Sequence, residues 1–155
     1  MRMIDDISLK ILKILQEKAR IPNVEVARQV GMAPSAVLER IRKLEQQGYI
    51  DGYEVRLNPE RFARPLVAFI YVGVDGHDPQ GAIAQALTDL AESQEVHFIA
   101  GEDCYLVKVR VSTPLALGAL VRRQIAAIPG VRRTRTAVAL ATMKETWRIP
   151  LEALP

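Results

Sequence analysis

The residues best suited to chemistry lie between Pro34 and Gln46, in PSAVLERIRKLEQ. Val37, Leu38, Ile41 and Leu44 make one apolar stripe at i, i+1, i+4, i+7, the spacing of an amphipathic helix. The opposite face carries Ser35, Ala36, Glu39, Arg42, Lys43 and Gln46, with Arg40 at its edge. The start of that face is small and polar, which suits approach to base edges. The arginines and lysine further along suit phosphates or guanine. The same periodicity also fits an ordinary helical hairpin with a solvated charged face. The neighbouring turn chemistry favours DNA.

That turn chemistry begins at Asn23, expected to cap a helix over Val24–Val30. Val26, Ala27 and Val30 share one face, and Ala27 is small enough to let another helix approach. Gly31 ends this helix where a left-handed residue is wanted. Only Met32 and Ala33 intervene before Pro34, a residue suited to the first turn of the next helix. Upstream, Ile4, Ile7, Ile11, Ile14 and Leu15 mark a helix over Asp6–Lys18, with Asp5 as its cap. Three helices of this kind form a helix-turn-helix core. After Gly48, short extended segments flank Asp51-Gly52, a turn pair. They form either a small wing beside the DNA or a linker strand that pairs with a second copy. Asn58-Pro59 then stops the segment.

The chain has 155 residues, 49% of them hydrophobic, enough for one medium or two small domains with real cores. It has no apolar run of 18 residues, and MRMIDDISLK lacks the apolar centre of a signal peptide. No membrane partner and a cytoplasmic location are therefore expected. A single cysteine, Cys104, and two histidines exclude an intrachain disulfide and argue against structural zinc. No GxxxxGK[ST], GxSxG or HExxH motif occurs, so neither a catalytic residue nor a metal or cofactor is expected. The net charge of +3 is compatible with DNA binding without establishing it.

The second half reads strand, helix, strand, strand, helix, strand. Leu66–Val74 is almost wholly apolar. Helical spacing follows over Gln80–Ala91, strands over Glu95–Ala100 and Cys104–Val111, a helix from Pro114 to Ala127 capped by Thr113, and a last strand over Val131–Ala141. This order predicts an α+β, ferredoxin-like βαββαβ sandwich with helices on one face of an antiparallel sheet. Val67, Phe69 and Tyr71 make the other face too apolar to be fully solvated. A second copy is its simplest cover, and a two-fold dimer would present two DNA-reading helices.

The stretch ARQVGMAPSAVLERIRKLEQQGYIDGY resembles the Lrp/AsnC, leucine-responsive or feast/famine, transcription regulators. Gly31, Met32, Pro34, Ser35, Val37, Arg40, Leu44, Glu45, Gly48 and Ile50 meet the family pattern. Gly101, Tyr105-Leu106, Pro129-Gly130-Val131 and the Thr134/Thr136 strand extend the likeness to nearly the whole chain. Three departures stand out: Ala33 replaces the usual Ser before the proline, Ser8 replaces an Asp in the first helix, and Cys104 replaces an acidic residue. The resemblance implies a winged-helix-like helix-turn-helix domain over 1–52 and a linker strand and hinge over 53–63. It implies a ferredoxin-like effector-binding and oligomerisation domain over 64–155. It also implies a homodimer that assembles further, to a tetramer or octamer.

In that family small effectors, commonly amino acids, bind near the loop between the second and third strands, between neighbouring subunits. The resemblance therefore nominates His97, Gly101, Glu102, Asp103, Cys104, Thr134 and Thr136. Gly101 would let backbone N–H groups approach a carboxylate, Glu102 or Asp103 would hold an ammonium, and the threonines would supply hydroxyls. For DNA the candidates are Ser35, Ala36, Glu39, Arg40, Arg42 and Lys43. The expected function is a DNA-binding regulator modulated by a small metabolite. The alternative is a metabolite-binding scaffold whose helical domain contacts proteins.

Overall fold

The computed structural model describes residues 4–75, 81–101 and 105–151. Glu102, Asp103 and Cys104 lie outside the described residues. The chain forms two units, one made of Met1–Arg56 with Glu145–Pro155 and the other of Leu57–Lys144.

In the helical unit, α1 spans Asp6–Glu17, α2 Asn23–Val30 and α3 Pro34–Gln46. Asp5 caps α1, its Oδ1 accepting from the Ser8 N–H at 2.7 Å. The α2 cap differs from expectation. Pro22, with φ −62° and ψ 140°, occupies the cap position, and Asn23 is already helical and caps nothing. The Pro22 carbonyl accepts from Glu25 and Val26 N–H groups, so the helix begins one residue early. At its end Gly31 adopts φ 70°, and the Met32 N–H closes back on the Ala27 carbonyl at 3.0 Å. A side chain would resist that left-handed turn. The core joins Ile11, Leu12 and Leu15 of α1 to Val26 and Ala27 of α2 and Val37, Ile41 and Leu44 of α3.

Residues 50–58 form no helix or strand. No wing hairpin forms there among the described residues. Instead the Tyr53 hydroxyl donates to Glu45 Oε1 at 2.9 Å, which holds the chain beside the last turn of α3.

The second unit contains β1 (Leu66–Val74), α4 (Ala82–Thr88), β2 (Ser93–Phe98), β3 (Tyr105–Val111), α5 (Pro114–Leu120) and β4 (Val131–Val138). The sheet order is β2-β3-β1-β4, and every ladder is antiparallel. Thr113 caps α5 by accepting from the Ala116 N–H at 3.1 Å. Beyond Leu120 the helix widens into a π-helical turn over Val121–Ile125, and Ile125 is buried. Ile83, Leu87, Leu117, Leu120 and Ile125 pack on Ala68, Ile70, Val72, Val107 and Val109. Both helices thus cover one sheet face.

Antiparallel partners directly opposite each other share a face. The other face therefore carries Phe69, Tyr71 and Leu106, all half-buried. The Arg135 guanidinium stacks 3.8 Å from the Tyr71 ring centroid, and Lys108 Nζ lies 2.7 Å from Glu95 Oε1.

Candidate DNA-recognition helix and effector loop

The apolar stripe of α3 fixes its rotation, because Val37, Ile41 and Leu44 must be buried. Ser35, Glu39, Arg42 and Lys43 are consequently exposed, and Ala36 is half-buried at their margin. These residues form one small-polar-then-basic face on a helix preceded by a tight turn. Pro34 stands in the first turn, and Ala33 provides no side-chain cap. The first N–H groups of α3 are therefore left without the hydroxyl acceptor that a Ser would place there.

Arg40 behaves differently from the other candidates. Its Nη1 donates to Asp5 Oδ2 at 2.5 Å and to Ser8 Oγ at 3.0 Å. The guanidinium therefore joins α3 to the first turn of α1. The Ser8 N–H, and after it the Arg40 side chain, hold the Asp5 carboxyl down to about 2. The place of Arg40 at the edge of the charged face predicts a phosphate-facing side chain, whereas its guanidinium is turned to α1. Asp5, Ser8 and Tyr53 join the site through contacts that the spacing does not predict. A usable signal existed for Ser8, a small polar residue within the Ile4, Ser8, Ile11, Leu15 stripe and buried in the fold.

Arg28 on α2 is also engaged, bridging Glu25 at 2.6 and 3.0 Å. Arg28 first, then Gln29, lowers the Glu25 carboxyl to about 2. At the far end of α3, burial and then the Glu45 hydrogen bond push the Tyr53 phenol up to about 12.

The effector candidates divide between faces and edges of the sheet. Thr134 pairs with Val72 and Thr136 with Ile70, so both threonines share the helix-covered face at the β4 edge. His97 pairs with Leu106, placing it on the opposite face at the β2 edge, with its Nε2 3.3 Å from Glu95 Oε2. Three strand spacings, about 14 Å, separate β2 from β4. One chain brings the two threonines together and does not bring His97 to them. Gly101 is exposed just after β2 with φ 133°. A Cβ there would meet no heavy atom within 4 Å, so the position has room for a ligand but strain for a side chain.

Residues 4–51 match the description winged helix-turn-helix DNA-binding. Residues 67–149 match the Lrp/AsnC ligand binding domain. This chain belongs to the Lrp/AsnC family. Within that family it is 36% identical over 151 residues to the leucine-responsive regulatory protein of Escherichia coli K12, covering 96% of this chain and 92% of that protein. The corresponding protein of Klebsiella pneumoniae shows the same identity and coverage. Among solved structures, the Neisseria meningitidis transcriptional regulator NMB0573 in complex with L-Met aligns with a TM-score of 0.90 at 30% identity, covering 96% of this chain and 97% of that one. The Mycobacterium tuberculosis leucine response regulatory protein aligns at 0.81 and 31% identity, with 96% and 100% coverage. The protein is thus an Lrp/AsnC transcriptional regulator and not an enzyme, with an α+β fold of helix-turn-helix and ligand-binding domains. Among the described residues no helix is long and apolar enough to cross a membrane.

Proposed function

We propose that the protein regulates transcription by setting α3 in the major groove, with its grip on DNA or its assembly modulated by an amino acid. The observation that carries this reading is the exposed face of Ser35, Glu39, Arg42 and Lys43 on α3. Arg42 and Lys43 meet phosphates, while Ser35, Ala36 and Glu39 shape base choice. Arg40 acts through Asp5 and Ser8 as the residue that seats the helix.

The amino-acid class is supported by the L-Met complex of the Neisseria relative. Its site is assigned to Gly101, Glu102, Asp103 and Cys104 of one subunit with Thr134 and Thr136 of a neighbouring one, because β2 and β4 are opposite edges of the sheet. The opposite-face position of His97 makes it a contributor from a neighbouring subunit or none at all. The face of Phe69, Tyr71 and Leu106 pairs two chains, giving a homodimer that assembles further to a tetramer or octamer in the cytoplasm. The functional division runs 1–52 for DNA, 53–63 for the hinge and 64–155 for effector and assembly, except that residues 145–151 serve the helical unit.

Calorimetric titration of the full-length protein with a panel of amino acids tests the effector assignment, with Gly101→Trp as the control. Heat from one or more amino acids, lost in the variant, is expected. No heat from any member of the panel overturns the amino-acid class.

A further inference from the structure

The end of the chain returns to its first helix. The sheet unit is entered at Leu57 and left at Lys144, and Glu145–Pro155 groups with the helices, although the ligand-binding match runs to Ile149. The entry and exit segments lie side by side, with Arg56 Nη2 3.7 Å from Glu145 Oε2. Beyond that point Gln16 pairs with the Ile149 backbone through two bonds. Its Nε2 donates to the Ile149 carbonyl at 3.1 Å, and its Oε1 accepts from the Ile149 N–H at 2.9 Å. A side-chain amide thus supplies the complementary donor and acceptor that a neighbouring strand would offer.

Arg148 Nη2 donates to the Glu17 carbonyl at 3.3 Å. That carbonyl is in the last turn of α1, where intrahelical partners run out and positive charge is favoured. The Thr146 hydroxyl accepts from the Arg148 N–H at 3.1 Å, and Leu151 packs on the helical core. The returning segment is therefore held by backbone pairing, a carbonyl contact and apolar packing together.

α1 consequently has a load at each end. Gln16 and Glu17 hold the returning segment, while Asp5 and Ser8 hold Arg40 of α3. We propose that residues 145–151 form a strap that positions α3 through α1, with Gln16 as its positioning residue. The covalent chain then links the ligand-binding unit to the recognition helix by two routes. Residues 50–58 lead from α3 through Tyr53, and the strap leads to α1 through Gln16. This inference rests on the reading that α3 meets DNA.

Gln16→Ala in the full-length protein tests the strap without altering any charge. Hydrogen exchange is measured along α1 and α3, and affinity is measured for the protein's own upstream DNA and for random DNA at one salt concentration. Amide exchange in the last turn of α1 and in α3 should accelerate about threefold to tenfold. Preference for the upstream DNA should fall by a similar factor, while random-DNA affinity and its salt slope stay unchanged because no phosphate contact is lost. Arg148→Ala, at an exposed position, should produce the same exchange pattern. Unchanged exchange in α3 overturns the proposal, as does a parallel loss of affinity for both DNAs. Faster α3 exchange, in a protein whose unmodified form shows no DNA preference, supports the strap and overturns the DNA-binding role.

Discussion

Arg40 of α3 reaches back 35 residues to Asp5, donating to Oδ2 at 2.5 Å while the other carboxylate oxygen caps α1 through the Ser8 N–H. One carboxylate therefore starts the first helix and seats the third. Asp5→Ala loses both roles and should cost about 1–2 kcal/mol in denaturant unfolding. Arg40→Ala loses one and should cost about 1 kcal/mol or less, because solvent screens a partly exposed pair. The double variant should cost less than the sum of the singles, the mark of a shared contact.

The same carboxylate gives the helical unit a pH signature. Folding lowers the Asp5 carboxyl to about 2, so its contribution is complete above the ordinary carboxylate range and is lost as pH falls through that range towards 2. Glu25, lowered to about 2 by Arg28 and then Gln29, acts in the same direction. Thermal midpoints recorded from pH 7 down to 2 should fall below pH 4. Asp5→Asn, which keeps a capping oxygen, should fall less steeply across that window.

Ala33 sits at the cap of α3 with φ −70° and ψ 143° and no side-chain acceptor. A hydroxyl fits that backbone without strain. Ala33→Ser should stabilise the protein by about 0.5–1 kcal/mol, read as a higher midpoint in urea. Unchanged stability would mean that the first N–H groups of α3 are already satisfied by water at no cost.

Lys43 is exposed on the outer face of α3, whereas Arg40 is tied to α1. The two should therefore separate by experiment. Lys43→Ala should weaken binding to all DNA sequences and reduce the salt slope by about one unit. Arg40→Ala should leave the slope nearly unchanged and erode the preference between sequences. Matching slope losses for both would place the Arg40 guanidinium on a phosphate.

Local chemistry made the helix pair readable before its structure. Gly31 needed a left-handed turn, Pro34 needed a first turn, and the Val37, Ile41, Leu44 stripe left one face for solvent or DNA. The apolar run of Leu66–Val74 likewise marked a central strand, and Thr113-Pro114 marked the start of α5. What stayed hidden depends on pairs distant in sequence. Helical periodicity places Arg40 on a face but cannot name Asp5 as its partner. Nothing near Gln16 announces Ile149, 133 residues away. Alternation showed Thr134 and Thr136 sharing a face, yet only the β1–β4 register shows that this face is the helix-covered one. Asn23 misled because a good capping residue follows a proline whose extended backbone takes the cap position first.

The proposed regulatory function rests on α3 reading DNA sequence. Its most direct test is the affinity of the full-length protein for the DNA upstream of its own gene against scrambled DNA of the same length, by fluorescence anisotropy at a fixed salt concentration. A preference of about a thousandfold or more for the upstream DNA is expected, reduced by Ser35→Ala or Glu39→Ala. Equal, weak binding to both DNAs would contradict it and favour a metabolite-binding scaffold.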